Sequence, residues 1–193
     1  MPGVDRAMIE ALRRGEDRAF TAVVDLLLGP VYRFLLRLSG SPGVAEDLTQ
    51  ETFLAVWQSI GSFRGKSQFR TWVFGIAHHQ FLRYRDKPKL DTVQFDEARH
   101  ESETVNPNAH LLEADEQQRV REAIYALPDL CREAFCLVHL EGMRYRDAAA
   151  ILGVPIGTVK SRMNVAFRLL REELGGSEEE GNDLQEPQSV RGS

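Results

Sequence analysis

The amino-acid sequence predicts an all-α protein, built as two small helical domains joined by a flexible acidic linker. Three observations carry this. Apolar residues recur at helical spacing in two blocks, 5–86 and 111–174, and no stretch alternates as a half-buried strand would. Charge is segregated: acid gathers in two weakly apolar stretches, while base sits inside the periodic blocks. Between Ala149 and Leu170 the chain has the small residue, turn glycine and apolar spacing of two helices that meet at a sharp angle.

In the first block, Phe20, Val23, Val24, Leu27, Val31, Phe34, Leu35 and Leu38 supply apolar faces. Ser41-Pro42 reads as an N-cap with proline at the first helical position. Glu46 and Asp47 then fall in the early turns, where the helix dipole favours acid. Phe53, Trp57 and Ile60 follow at helical spacing and are expected to face a core. Gly61 and Gly65 break the chain. A further helix is expected from about Ser67, carrying Trp72, Val73, Ile76 and Phe81. From Gly61 to Lys89 the bases Arg64, Lys66, Arg70, Arg83, Arg85, Lys87 and Lys89 meet one acid, Asp86.

Residues 87–110 hold two prolines, scattered acids and no helical period, and read as a linker. Asp91, Asp96, Glu97, Glu101 and Glu103 there face only Arg99. Residues 175–193 combine Gly-Gly with an acidic run and no apolar period, and are expected to be disordered. The formal net charge of −5 therefore conceals stretches largely inside the periodic blocks, such as 61–89, that are locally basic.

In the second block, Val120, Ile124 and Leu127 precede Pro128. A helix from about Asp129 to His139 is expected to turn Leu130, Ala134, Leu137 and Val138 to a core. A helix-turn-helix pattern follows. Ala149 is the small contact between its helices, Gly153 is the turn residue, and Val159 is the first buried position of the second helix. Met163, Ala166 and Leu170 continue that inner face. The other face shows Lys160, Ser161, Asn164 and Arg168, with Arg162 at its margin. Lys and Arg suit phosphates and guanine, and Asn suits adenine in the major groove. A packed helical hairpin with a solvated basic face would show the same pattern.

The rest of the chain is informative by exclusion. Two cysteines, Cys131 and Cys136, make no disulfide framework and fit a reducing cytoplasm. The N-terminal stretch has no apolar core for a signal peptide, and no apolar run approaches the roughly 20 residues that span a bilayer. Cys131, Cys136 and His139 are poorly spaced for zinc, since helical residues five apart point about 140° away from each other. No metal or cofactor is expected. There is no Walker loop, dinucleotide fingerprint or nucleophile triad, so no enzyme is read here.

Two segments carry a family resemblance. AEDLTQETFLAVWQSIGSFRGKSQFRTWVFGIAHH, from Ala45 to His79, resembles conserved region two of the bacterial RNA polymerase sigma factors of the extracytoplasmic-function group, within the sigma-70 family. LPDLCREAFCLVHLEGMRYRDAAAILGVPIGTVKSRMNVAFRLLREEL, from Leu127 to Leu174, resembles region four. The resemblance implies that region two binds the clamp helices of core RNA polymerase and then captures and melts the −10 promoter element. Region four would read the −35 element as duplex and touch the polymerase flap. The clamp surface falls on Glu46, Asp47, Gln50 and Glu51, which one helical turn brings side by side.

The segment SFRGKSQ resembles the loop that holds a base flipped from the −10 element, and the helix from Phe69 to Arg85 resembles the part that meets the opened strand. A melting protein needs cations for phosphates and pockets for unstacked bases. Arg64, Lys66, Arg83 and Arg85 would supply the cations, with His78, His79 and Gln80 as polar contacts and Trp72 read as core. In region four the −35 contacts fall on Thr158, Lys160, Ser161, Arg162, Asn164 and Arg168. The partners implied are core RNA polymerase, promoter DNA and an anti-sigma factor, with no small-molecule substrate.

Some positions depart from the family pattern. Gly75 stands where a cation is frequent and His79 where Asn is frequent. Val165 and Phe167 replace two frequent arginines, which lowers the expected phosphate contribution. The linker acids either imitate nucleic acid against a basic channel or keep the linker extended and soluble. A stand-alone helix-turn-helix regulator is the alternative reading. It would need neither the acidic face around Asp47 nor the basic, aromatic loop from Phe63 to Trp72.

Overall fold

The computed structural model describes residues 4–87 and 111–175. They divide into two compact units, one within 1–110 and one within 111–193. Among the described residues there is no strand. The linker acids Asp91 to Glu103 and the acidic run of the tail lie outside the described residues.

The first unit contains α1 (Arg6–Arg13), α2 (Asp17–Ser39), α3 (Pro42–Ser59), a 3-10 turn (Ile60–Ser62) and α4 (Phe69–Arg85). Helix α1 starts where the Asp5 carboxylate accepts the Met8 N–H at 2.8 Å, a side-chain cap that satisfies one orphan donor. Helix α2 buries Val23, Leu27, Val31, Phe34, Leu35 and Leu38 and packs against α3 and α4. That face repeats every three or four residues, as an amphipathic helix requires. Helix α2 has 23 residues and contains an 18-residue window of mean hydropathy 1.6, so it is long and apolar enough to cross a membrane by length and composition. This corrects the expectation that no run approaches that size. The helix nevertheless carries Asp17, Arg18, Asp25, Arg33 and Arg37, and its buried stripe is occupied by neighbouring helices.

Ser41 precedes α3 in extended conformation and Pro42 opens the helix, yet the Ser41 hydroxyl makes no capping bond. Instead the Ser41 N–H donates to Ser39 Oγ at 3.4 Å. Two threonines buried in α3 return their hydroxyls to their own helix. Thr49 donates to the Ala45 carbonyl and Thr52 to that of Leu48, both at 2.6 Å, which leaves their methyls free to pack. Helix α4 begins at Phe69, two residues later than expected, because Gln68 is still extended. Its Phe74 meets Phe34 of α2 with centroids 5.3 Å apart.

The second unit contains α5 (Leu111–Ala126), α6 (Asp129–Phe135), a π-helical segment (Cys136–Leu140), α7 (Tyr145–Leu152) and α8 (Ile156–Leu174). The helix expected to run to His139 thus widens after Phe135. Ala123, Ile124, Leu127, Ala134, Leu137, Met163 and Ala166 form its core. Leu130, expected in that core, is 51% exposed, because α6 turns Cys131, Ala134 and Phe135 inward instead. Arg132 ties the elbow between α5 and α6. Its Nη1 donates to the carbonyls of Tyr125 at 2.5 Å and Leu127 at 3.1 Å, and its Nη2 to Asp129.

The α7–α8 turn follows the sequence expectation closely. Gly153 has φ +65° and its N–H donates to the Ala149 carbonyl, ending α7. Ala149 is buried, and Val159, Met163, Ala166 and Leu170 form the buried stripe of α8. A Cβ at Gly153 would meet nothing within 4 Å, so the cost of a side chain there is one of dihedral strain alone. Gly153→Ala is expected to lower the stability of the second unit by about 1–2 kcal/mol. Hydrogen exchange of the α7 and α8 amides in the full chain would read that loss.

Candidate polymerase and nucleic-acid interfaces

Three faces bring together the candidate residues. On α3, Glu46, Asp47, Gln50 and Glu51 are all exposed. The helix buries Ala45, Leu48, Thr49 and Thr52 against the bundle, and the intervening positions must therefore face outward. Asp47 and Glu51 also border a surface groove of about 300 Å³, with Val44 and Leu48 on their own helix and Gln80, Arg83, Tyr84 and Lys87 across it. The structure thus joins two sets that the sequence kept apart, acids of α3 and cations at the end of α4. Tyr84, 43% exposed, lies between them and had no counterpart in the sequence reading.

The second face is the connection from Gly61 to Gln68. Phe63 and Phe69 are buried at its two ends, with ring centroids 5.4 Å apart at 86°. Half-buried Trp72 completes the cluster, 5.2 Å from Phe63 and 5.6 Å from Phe69, so its assignment to packing agrees with its surroundings. Between these anchors Arg64, Gly65 and Lys66 are exposed, and Gly65 has φ +69°, a conformation that favours glycine. A short cationic loop is therefore held at both ends by apolar burial. Arg70, by contrast, lies over the Phe74 ring at 5.0 Å.

Along α4 the candidates separate. His79, Arg83 and Arg85 are exposed. His78 is 4% exposed and lies with Phe74, Ala77 and Phe81 on the buried face. It has no surface to offer a strand, and its place among the DNA contacts is corrected. Gln80 is buried as well, and accepts from Arg83 Nη1 at 3.3 Å. Adjacent histidines look alike in a sequence, and only the phase of the helix distinguishes them. His78→Ala is expected to cost about 1–3 kcal/mol of stability, as core truncations do. His79→Ala is expected to leave stability within about 0.5 kcal/mol while weakening strand binding. Thermal melts beside oligonucleotide binding would separate the two.

The third face is on α8. Lys160, Ser161, Asn164 and Arg168 are exposed opposite the buried stripe. From Lys160 to Arg168 the helix rises about 12 Å, comparable to the width of a B-DNA major groove. Ser161 Oγ donates to the Thr158 carbonyl at 2.9 Å, which leaves its lone pairs outward. Arg168 pairs with Glu172 at 3.5 Å, and Lys160 Nζ sits 5.9 Å from the Tyr145 ring centroid. Thr158 and Arg162 are half-buried on the flank. Burial pushes the Cys131 thiol up, and the nearby Arg162 guanidinium opposes that shift. Arg162 thus lies near α6 rather than in the middle of the outward stripe.

Two residues on or near this face escaped the sequence reading. Ile156, 46% exposed, opens α8 where a core residue would be expected from its type. Arg146 is exposed on α7, beside Asp147 at 3.8 Å. Phe167, which stands where the family often has arginine, packs edge-on to Phe135 at 5.7 Å and to His139 at 5.4 Å. It has become part of the α6–α8 contact, and no nucleic-acid role attaches to it.

The site thus consists of an all-α pair of units, one with an acidic face beside a cationic loop and one with an exposed cationic helix after a tight turn. Comparison with known proteins gives the family. Residues 23–89 match sigma-70 region 2, and residues 117–170 match sigma-70 region 4. The RNA polymerase sigma-H factor of Pseudomonas aeruginosa is 31% identical over 169 residues, 82% of this chain and 88% of that protein. The ECF RNA polymerase sigma-E factor of Haemophilus influenzae is 30% identical over 180 residues, 88% of this chain and 95% of that protein. Among solved structures, the sigma factor RpoE in complex with the anti-sigma factor NepR from Bartonella quintana superposes with a TM-score of 0.68 at 33% identity, covering 82% of this chain and 98% of that one.

The chain belongs to the sigma-70 family, in its extracytoplasmic-function group. It binds core RNA polymerase and directs promoter-specific initiation, and the stand-alone regulator falls away.

Proposed function

We propose that the two units divide this work by face. The α3 face of Glu46, Asp47, Gln50 and Glu51 binds the clamp helices of the polymerase. Arg64 and Lys66 of the loop, with His79, Arg83 and Arg85 of α4, hold the opened −10 strand. Lys160, Ser161, Asn164 and Arg168, flanked by Thr158 and Arg162, read the −35 duplex. Arg146 adds a phosphate contact from α7, as the first helix of a helix-turn-helix does, and Ile156 offers an apolar surface to a thymine methyl. The region-two role is assigned to 5–86 and the region-four role to 111–174. Residues 87–110 serve as the acidic linker between them, and 175–193 as an acidic tail.

The observation that carries this reading is the exposure of four polar and acidic residues on α3 in the same unit as a loop that displays two cations between buried aromatic anchors. An operator-binding protein needs neither. The protein works in the cytoplasm, where its polymerase is, and the phosphoryl chemistry belongs to the polymerase, not to this chain. An anti-sigma factor holds it inactive, a reading supported by the similarity to RpoE, whose solved structure is a complex with the anti-sigma factor NepR.

The test is transcription from a pool of the host's promoter fragments by core polymerase with and without the purified chain. Discrete new start sites that share two upstream elements are the expected result. Selection of duplex by the chain alone, with no new transcripts, would remove the clamp role from Asp47 and Gln50.

A further inference from the structure

Helix α1 lies before the residues that match region 2, which begin at residue 23. It is nevertheless tied to the cationic loop. Arg13, in the last turn of α1, donates from Nη2 to the carbonyl of Phe63. Leu12 beside it is 2% exposed and anchors the helix, which packs against α2 and the 3-10 turn. Phe63 is the hinge of the loop. It leaves the 3-10 turn in extended conformation, its N–H donates to the Ile60 carbonyl at 3.1 Å, and its ring is fixed against Phe69 and Trp72. With its carbonyl held by Arg13, the peptide plane that leads into Arg64 is fixed by backbone and ring together.

We propose that Arg13 is a positioning residue for −10 recognition: it sets the entry of the Arg64–Gln68 loop so that the loop is ordered before the strand arrives. This inference rests on the assignment of that loop to the −10 strand. The physical reason is preorganisation. A largely exposed segment with a glycine in the left-handed region loses much conformational freedom on binding, and whatever orders it beforehand increases affinity and sharpens discrimination. A guanidinium suits the task because its donors project in a rigid fork.

The experiment uses holoenzyme, the full chain with core polymerase, and single-stranded DNA randomised across the −10 element. Bound strands are sequenced to give affinity and base preference. Arg13→Gln is expected to bind core normally, to lose about tenfold in affinity for the preferred strand, and to flatten the preference among bases. Arg13→Lys should recover part of both, and Arg14→Gln, on the exposed neighbour that pairs with Glu16 at 2.7 Å, should change neither. A merely structural Arg13 would lower the melting temperature and the affinity for all strands alike, leaving the preference intact, and that result overturns the inference. Lys66→Ala in the same assay separates the levels. Lys66 is a phosphate cation, so its readout is affinity. If Lys66→Ala lowers strand affinity and Arg13→Gln leaves the preference intact, only the role of Arg13 falls. If Lys66→Ala leaves strand affinity unchanged and Arg13→Gln leaves the preference intact, the loop does not hold the strand and the underlying assignment falls too.

Discussion

Reversing two charges on α3, Asp47→Lys with Glu51→Lys, is expected to weaken association with core polymerase by on the order of a hundredfold. Like charges brought together in an interface cost several kcal/mol, and every 1.4 kcal/mol is a factor of ten. Both side chains are exposed, so the bundle itself loses no packing. Arg83 of α4 and Lys87 just beyond that helix line the groove, however, and two added lysines would also repel them. The neutral pair Asp47→Asn with Glu51→Gln avoids that repulsion and should cost less, about tenfold, with a melting temperature near that of the parent. Equilibrium binding to core at two salt concentrations checks both, since an electrostatic interface weakens as salt rises. Unaltered affinity in both variants would move the polymerase contact off this face.

Asn164→Ala is the second large effect. If Asn164 reads an adenine edge in the −35 duplex, its loss costs about 1–3 kcal/mol and flattens preference at one base pair. Lys160→Ala should behave differently. A phosphate contact carries no sequence information, so affinity falls evenly across sequences and the salt slope shrinks by about 0.9. Arg168 is intermediate, because its guanidinium must first leave Glu172. Competition between duplex libraries at several salt concentrations distinguishes the two kinds of contact. An Asn164→Ala protein with an even loss across all sequences would show that the adenine reading is wrong.

Much of the architecture was legible in the chain itself. The all-α class follows from a 3.6-residue period that never gives way to alternation. The helix-turn-helix follows from Ala149, Gly153 and Val159, each needed by a different physical demand: close approach, positive φ, and a buried first turn. The four α3 candidates were readable because a helix that buries positions 45, 48, 49 and 52 must expose 46, 47, 50 and 51.

Other features needed the folded bundle. Residue type suggests that histidine is polar and leucine buried, but His78 lies inside and Leu130 outside, because neighbouring helices decide which phase of α4 and α6 is covered. The change from α to π after Phe135 leaves no mark in composition. Contacts between distant segments are the hardest to foresee. Arg13 and Phe63 are separated by fifty positions, and the acids of α3 meet the cations of α4 only because the two helices pack together.

The all-α class, the glycine turn before α8, the local clustering of charge and the resemblance to the family could be read along the chain. Those are local properties, set by the period of the apolar residues and by the dihedrals that glycine and proline allow. It took packing to settle which of two adjacent polar residues reaches solvent, which cations share a groove with which acids, and what holds the loop between Phe63 and Phe69. Those depend on the rotation of each helix about its own axis when several faces compete for one core, a quantity that many residues far apart in the chain set together.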